Sequence, residues 1–288
     1  MSGLLLGILP LLALAGVPLA LSVPLPAMLS ASGDGVPPVV SEDALPSPFV
    51  YRFGTPGVLN EAPYADASDS PYFWLNSGGV LLIEGGLGKT QQGPLPTFSL
   101  WRFRYALGNA LDTETGALPQ NIFRLVTRHT WGNFSQEVRV RVAKLNHTDT
   151  PNRGEWSGVL LMGRYRDGDN LYYAGIRMDG SAVIKKKYRG TYYTLATTPV
   201  FVDTGEAGNR IPQDQWMGIR TEIADREDGT VSVALSLDQT DTGAWQEVLR
   251  VVDDGVRGGD TLTGPAYAGI RTDYLDVLFD DYVLRTVP

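Results

Sequence analysis

Three short stretches repeat a pattern whose residue types could do chemistry. Tyr173-Ala-Gly-Ile-Arg177, Trp216-Met-Gly-Ile-Arg220 and Tyr267-Ala-Gly-Ile-Arg271 all read aromatic-x-Gly-Ile-Arg. In an extended strand successive side chains alternate, so ring, glycine and guanidinium share one face and isoleucine takes the other. A bare glycine leaves room for a ring or ligand over the backbone, or relieves crowding where a sheet bends. Three such strands predict a row in which Arg177, Arg220 and Arg271 stand beside Tyr173, Trp216 and Tyr267. Other candidates are spaced for the same surface. Arg124 and Arg128 fall on one strand face with His129 on the other, and Lys185 and Lys187 share a face. The adjacent pairs Tyr172-Tyr173 and Tyr192-Tyr193 must each split between faces; Tyr173 and Tyr193 are taken as the outward rings.

The charge distribution supports an anionic or polar ligand. The chain carries a net charge of −8, which argues against general nucleic-acid binding because phosphate contacts need a basic surface. Residues 124–189 nevertheless hold 13 of the 24 Lys and Arg against six acids, a local net of +7. With no cysteine and two dissimilar histidines, thiol chemistry and the usual zinc ligand sets are excluded. Oxygen ligands for calcium cluster at Asp167, Asp169 and Asn170, and again at Asp280 and Asp281. No cofactor is required by this pattern, and structural calcium is the one metal it allows for.

The elements that must position these residues are strands. The 33 Gly, 19 Pro and 13 Tyr favour strands and turns over helices. Ser135–Lys144 alternates strictly, with Val138, Val140 and Val142 on one face. Strands are expected at Gly158–Arg166, Leu171–Met178, Ser181–Lys187, Thr191–Ala196, Trp216–Ile223, Thr230–Leu237, Ala266–Thr272 and Asp276–Leu284. Turn chemistry at Asp179-Gly180, Arg189-Gly190 and Asp228-Gly229 joins neighbours as hairpins. A short helix is expected within Ser99–Ala110. The fold class is all-β, an antiparallel two-sheet sandwich of jelly-roll type spanning residues 50–288. Before it, Leu4–Leu21 is apolar and followed by the small-x-small Ala20-Leu21-Ser22, so residues 1–32 read as a secretory signal or retained anchor. Residues 33–49 read as a Pro/Ser-rich linker. The protein is expected outside the cell, touching a membrane only through that first segment.

The order of these pieces resembles the concanavalin A-like lectin/glucanase superfamily, including laminin G-like jelly rolls. Tyr72–Gly88 (YFWLNSGGVLLIEGGLG) resembles its opening strand, Gly-Gly turn and apolar strand. SGVLLMGRYRDGDNLYYAGIRMDGSAVIKKK resembles its hairpin series, and Ala266–Arg271 and Phe279–Tyr282 resemble its closing strands. The resemblance implies a polysaccharide or cell-surface glycan as partner. It leaves open binding alone, cleavage, or a structural adhesive role. Two-carboxylate glucanase chemistry is disfavoured: Glu222-Ile-Ala-Asp225-Arg-Glu227 has the wrong alternation, and no Glu joins Asp276 and Asp280. Some likeness to jelly-roll polysaccharide lyases is carried by Tyr172-Tyr173-Ala174-Gly175. That likeness implies β-elimination on a uronate polymer, with Tyr173 or His129 moving the proton and Arg177 or Arg128 neutralising the carboxylate. Arg220, Arg271, Lys185, Lys187, Tyr193, Trp216 and Tyr267 would then bind the chain.

Overall fold

The computed structural model describes residues 45–202 and 210–288. The expected signal or anchor, residues 1–32, and the linker up to residue 44 lie outside the described residues. The described residues form sixteen strands in chain order: β1 Phe49–Tyr51, β2 Gly57–Asn60, β3 Phe73–Ser77, β4 Val80–Glu84, β5 Leu87–Thr90, β6 Ile122–Trp131, β7 Phe134–Leu145 and β8 Gly158–Asp167. They continue with β9 Asn170–Arg177, β10 Ser181–Tyr188, β11 Thr191–Pro199, β12 Trp216–Asp225, β13 Val231–Asp238, β14 Gln246–Asp253, β15 Ala266–Asp273 and β16 Leu275–Thr286. Among the described residues one α-helix, α1, runs Leu100–Gly108, inside the segment where the sequence predicts it.

The strands make two antiparallel sheets packed face to face, the all-β sandwich expected. A nine-stranded sheet has the order β14-β13-β12-β7-β16-β5-β4-β2, with β1 added on β16. A seven-stranded sheet has the order β11-β10-β9-β8-β15-β6-β3. The period of two decides what lies between them. Val138, Val140 and Val142 of β7 turn inward against Phe123 and Leu125 of β6, Ala174 and Ile176 of β9, and Ala268 and Ile270 of β15 in one continuous core. The buried Gln136 is paired on both sides of its amide, as burial favours. Gln136 Nε2 donates to Met162 O at 2.7 Å, tying β7 to β8 of the other sheet, and Tyr282 OH on neighbouring β16 donates to Gln136 Oε1 at 2.9 Å.

The turns behave as their residue types demand. Gly180, Gly190 and Gly229 take φ of 78°, 80° and 80° at the three expected hairpins, a region L side chains avoid. The Gly78-Gly79 pair does something different from a hairpin turn. It carries the chain from β3 in one sheet to β4 in the other. A Cβ on Gly78 would come within 2.9 Å of the Phe123 backbone, so this corner admits only glycine. The β4–β5 hairpin follows at Gly85-Gly86.

Candidate functional site

Tyr173, Arg177, Lys185, Lys187 and Arg271 converge on the outer face of the seven-stranded sheet, turned away from the main core; Tyr267 shares that face but is buried in a second apolar cluster with Trp74, Val126 and Met162. The alternation puts them there: Tyr172, Ala174 and Ile176 point into the core, so Tyr173 and Arg177 point out. Likewise Ile184 points in and Lys185 out, while Ile270 points in and Arg271 out. Arg271 is the hub. Its Nε donates to both carboxylate oxygens of Asp273, at 2.8 and 3.0 Å, and its Nη1 donates to Tyr173 OH at 2.8 Å and Tyr192 OH at 3.1 Å. The two tyrosine rings stack with centroids 6.1 Å apart. Beside them Lys187 Nζ lies 4.9 Å from the Tyr192 ring centre and pairs with Asp169 at 2.9 Å. Arg177 pairs with Asp179 at 2.9 Å.

Lys185 stands apart from the other cations. Its Nζ reaches only Trp156 O, at 3.4 Å, and among the described residues no carboxylate lies within ion-pair distance of it. Burial and the neighbouring Arg177 guanidinium both disfavour its charge and lower its pKa from the ordinary lysine value. Burial is the larger cause, and the Asp273 carboxylate only partly offsets the two neighbouring guanidinium groups of Arg177 and Arg271.

The two stacked tyrosines titrate apart. Tyr173 is 1% exposed, and burial pushes its phenol up to about 12 against the opposing pull of Arg271. Tyr192 is 49% exposed; burial would raise it, but the Arg271 charge and hydrogen bond, with Lys187 beyond, bring it below its ordinary value. Absorbance titration of the phenolates should therefore show one ionisation below pH 10 that disappears in Tyr192→Phe. An unchanged curve would mean that Arg271 does not hold that hydroxyl in solution. A depressed phenol contributes its full stabilisation above its unfolded pKa, near 10, and loses it as pH falls through the folded value, so Tyr192→Phe should leave neutral-pH stability unaltered on this account.

Several expected site residues lie elsewhere. Arg177, Arg220 and Arg271 do not line one groove, because β12 belongs to the other sheet. Arg220 and Trp216 stand on the outer face of the nine-stranded sheet, on the opposite side of the sandwich. There Arg220 pairs with Glu137 and lies 3.9 Å over the Trp245 ring, and Trp216 sits against Arg139 and Arg141. Tyr193 is not the outward ring of its pair. It faces Lys186 in register and packs against Gly258, while Tyr192 takes the outer face. Arg128 and His129 fall in a bulge of β6, where Tyr267 pairs with Thr130 but Gly269 already pairs with Val126. The extra residues break the alternation that the sequence implied. Arg128 is directed to the 65–72 segment, donating to Ser70 O at 2.9 Å and meeting Asp66 at 3.7 Å.

The glycines of the repeat divide between the two roles considered for them. A Cβ on Gly175 would sit 2.2 Å from Val159 O, and one on Gly269 2.3 Å from Leu125 O; these glycines let neighbouring strands approach. Gly218 instead has the Trp245 ring lying on it. The sequence reading missed Asp273 and took Tyr193 in place of Tyr192; Arg124, named as a candidate, does lie outward, and its Nη1 donates to Asn76 Oδ1 at 2.8 Å. Arg124 was visible as an outward strand residue; Tyr192 was visible only as half of a pair.

The proposed metal ligands are engaged with protein groups. Asp167 Oδ1 accepts from Asp169 N at 2.7 Å and Asn170 Nδ2 at 3.0 Å, closing the β8–β9 turn. Asp280 meets Arg139 at 3.2 Å on the other sheet. Among the described residues no three Asp, Glu or His side chains converge as a metal site. Asp276, weighed as a catalytic carboxylate, is buried and accepts from Gly93 N, Gln120 Nε2 and Asn146 Nδ2. A groove of about 350 Å³ does exist on the nine-stranded sheet, between Arg52, Arg139, Asp238 and Trp245. Its cations are already neutralised: Arg139 by Asp241, Asp280 and Asp281, and Arg285 by Glu137. On the nine-stranded sheet Arg141 lies over the Trp216 ring, away from that groove; the seven-stranded sheet instead groups Arg177, Lys185, Lys187 and Arg271 around two stacked tyrosines, and that grouping makes its face the candidate site.

Fold and site together define a β-sandwich protein with a cationic, tyrosine-bearing outer sheet. No protein-family model matches the chain, and no curated protein matches it. Among solved structures it is similar to the carbohydrate binding module CBM66 from Bacillus subtilis, with 14% identity and a TM-score of 0.40 over 57% of this chain and 82% of that one. It is similar also to a Bacillus subtilis protein of unknown function with a galectin-like fold, at 11% identity and TM-score 0.44 over 74% and 89%. A Bacillus licheniformis beta-glucanase gives 10% identity and TM-score 0.43 over 84% and 99%. At such identities and scores the likeness gives no residue here a role.

Proposed function

We propose that this protein binds an acidic polysaccharide, outside the cell, on the outer face of the seven-stranded sheet. The observation that carries the reading is the cluster Arg177, Lys185, Lys187 and Arg271 around the stacked Tyr173 and Tyr192, with Lys185 lacking a carboxylate. Carboxylates along a uronate chain would supply the missing anion, and the half-exposed Tyr192 ring offers a sugar face an apolar surface with a hydroxyl at its edge. Binding of this kind uses protein cations and needs no cofactor. An extracellular location rests on the apolar run at Leu4–Leu21.

The test is calorimetric titration with polyuronates and with a neutral dextran of similar length. Saturable binding to a polyuronate that weakens as salt rises is expected, since exposed charge pairs are screened. Equal binding to dextran, or none to any acidic polymer, would remove the reading.

Cleavage by β-elimination is a second reading, favoured by Tyr192 rather than Tyr173. Tyr192 is the reachable phenol, and its depressed pKa brings it nearer to the working range of a base. It would take the C5 proton beside an Arg- or Lys-neutralised carboxylate, and the C4–oxygen bond would break with the leaving oxygen protonated. Unsaturated product, followed by its ultraviolet absorbance, should appear with wild type and not with Tyr192→Phe. Binding without product would leave recognition as the function.

A further inference from the structure

The groove of about 350 Å³ on the nine-stranded sheet is bordered by Arg139, Gly218, Asp241, Trp245, Asp281 and Arg285. Local backbone geometry aims three of these at one another. Asp241, in the loop between β13 and β14, and Asp281, in the bulge of β16, both take positive φ, 56° and 47°. Aspartate tolerates that region better than most residues, but it remains uncommon. Both send a carboxylate to Arg139. Two such positions converging on one side chain mark a built site. The loop that carries Asp241 is closed by Asp238, whose buried carboxylate accepts from Thr242 N at 3.1 Å and Gly243 N at 2.6 Å. Trp245 ends that loop. The Arg220 guanidinium backs its ring, 3.9 Å from the centroid. The tip of the indole rests on Gly218, where a Cβ would come within 2.5 Å of it.

We propose that this groove is a second carbohydrate site, one that takes a neutral mono- or disaccharide. Charge argues against an ionic ligand of either sign. Arg139 is ringed by Asp241, Asp280 and Asp281, and Arg220 and Arg285 both pair with Glu137. An anion would meet four carboxylates there, and a cation would meet Arg139 at their centre. What the groove leaves open is hydrogen bonding. Hydrogen bonds engage three of the five N–H groups of Arg139. The Asp281 carboxylate is 40% exposed and accepts none among the described residues, with Arg52 and Arg139 approaching only to 3.6 Å. A hydroxyl accepts and donates at once. Neighbouring hydroxyls on one sugar ring can therefore accept from Arg139 and donate to Asp281 without unbalancing the charge. The apolar face of that ring has the Trp245 indole to lie against. The volume is at the small end for ligand sites, which suits one or two sugar rings rather than the run of a polymer. The inference stands apart from the acidic-polymer reading, since it concerns the other sheet and a charge-balanced surface.

Ligand-observed NMR titration of the full-length protein with cellobiose, maltose, lactose and xylobiose is the test. At least one should bind saturably, and saturating polyuronate should not displace it. Trp245→Ala should weaken that binding about tenfold or more, through loss of the stacked ring. Asp281→Gly should weaken it about tenfold or more as well, through loss of a charged acceptor. Glycine takes positive φ freely, so this change removes the carboxylate and leaves the bulge of β16 intact. Far-ultraviolet circular dichroism checks that both variants fold, and polyuronate binding should be unchanged in them. No saturable binding of any of the four sugars would overturn the proposal and leave the acidic-polymer reading untouched. Displacement by polyuronate would put the sugar on the seven-stranded sheet and overturn it too, as would wild-type affinity in either folded variant.

Discussion

Asp253→Ala should lower the stability of the fold by about 3–5 kcal/mol, the cost of leaving a buried charge without its partner. Asp253 and Lys186 are both buried inside the sandwich and meet at 2.8 Å. The same carboxylate oxygen accepts from Tyr172 OH at 2.5 Å, and Lys186 Nζ also donates to Gly259 O at 2.5 Å. Tyr172 OH in turn accepts from Leu262 N at 3.2 Å. Removing Asp253 strands an ammonium on one carbonyl and takes away the tyrosine's acceptor. It also releases a tie between the sheets, since Asp253 ends β14 and its partners belong to β9 and β10. Urea unfolding measures the loss. The double change Asp253→Leu with Lys186→Met should recover most of it, because two apolar groups need no pairing. A loss below about 1 kcal/mol for the single change would place Lys186 in contact with water.

Lys185→Glu should reduce polyuronate affinity about a hundredfold, while Lys185→Ala reduces it about tenfold. A charge-assisted hydrogen bond contributes roughly 1.5–3 kcal/mol, and the reversed charge adds repulsion to its loss. Stability should move the other way. The pKa of Lys185 is lowered in the folded protein, so the protonated form is disfavoured by folding. The penalty is present in full below the folded pKa and fades as pH rises through it to the unfolded value. At neutral pH Lys185→Ala should therefore hold or raise the urea midpoint as binding falls. A variant that loses binding only because it unfolds would show both falling together.

The strands were legible because their signal is local. Val138, Val140 and Val142 announce β7, and the Asp-Gly turns announce the hairpins. Membership of a sheet is a different kind of fact. β12 carries the same aromatic-x-Gly-Ile-Arg pattern as β9 and β15, with the same facing of ring and arginine, yet the chain crosses to the other sheet before it begins. No residue within β12 records that crossing. Bulges hide site residues for a related reason. One extra residue in β11, where Ile184 opposes Ala196 but Lys185 opposes Thr194, decides which tyrosine of the pair faces out, and the bulge in β6 displaces Arg128 and His129. Lys186 was legible and missed: with Lys185 and Lys187 outward, a period of two sends the middle lysine of the run into the core. β14 was missed because a period of two puts apolar Val248 and Val252 on the side opposite Leu249 and Val251, so this edge strand shows no clean alternation.

The order of strands in the seven-stranded sheet fixes a length. Helix α1 is held against Gly78 and Asn60, at the edge where β3 lies, and Tyr192 is on β11 at the opposite edge. Six strand spacings separate those edges, roughly 25–30 Å after allowing for twist. A polymer seated at Tyr192 would therefore lie one sheet-width from the α1 edge, and a strand gained or lost between them would move it by roughly 4.8 Å.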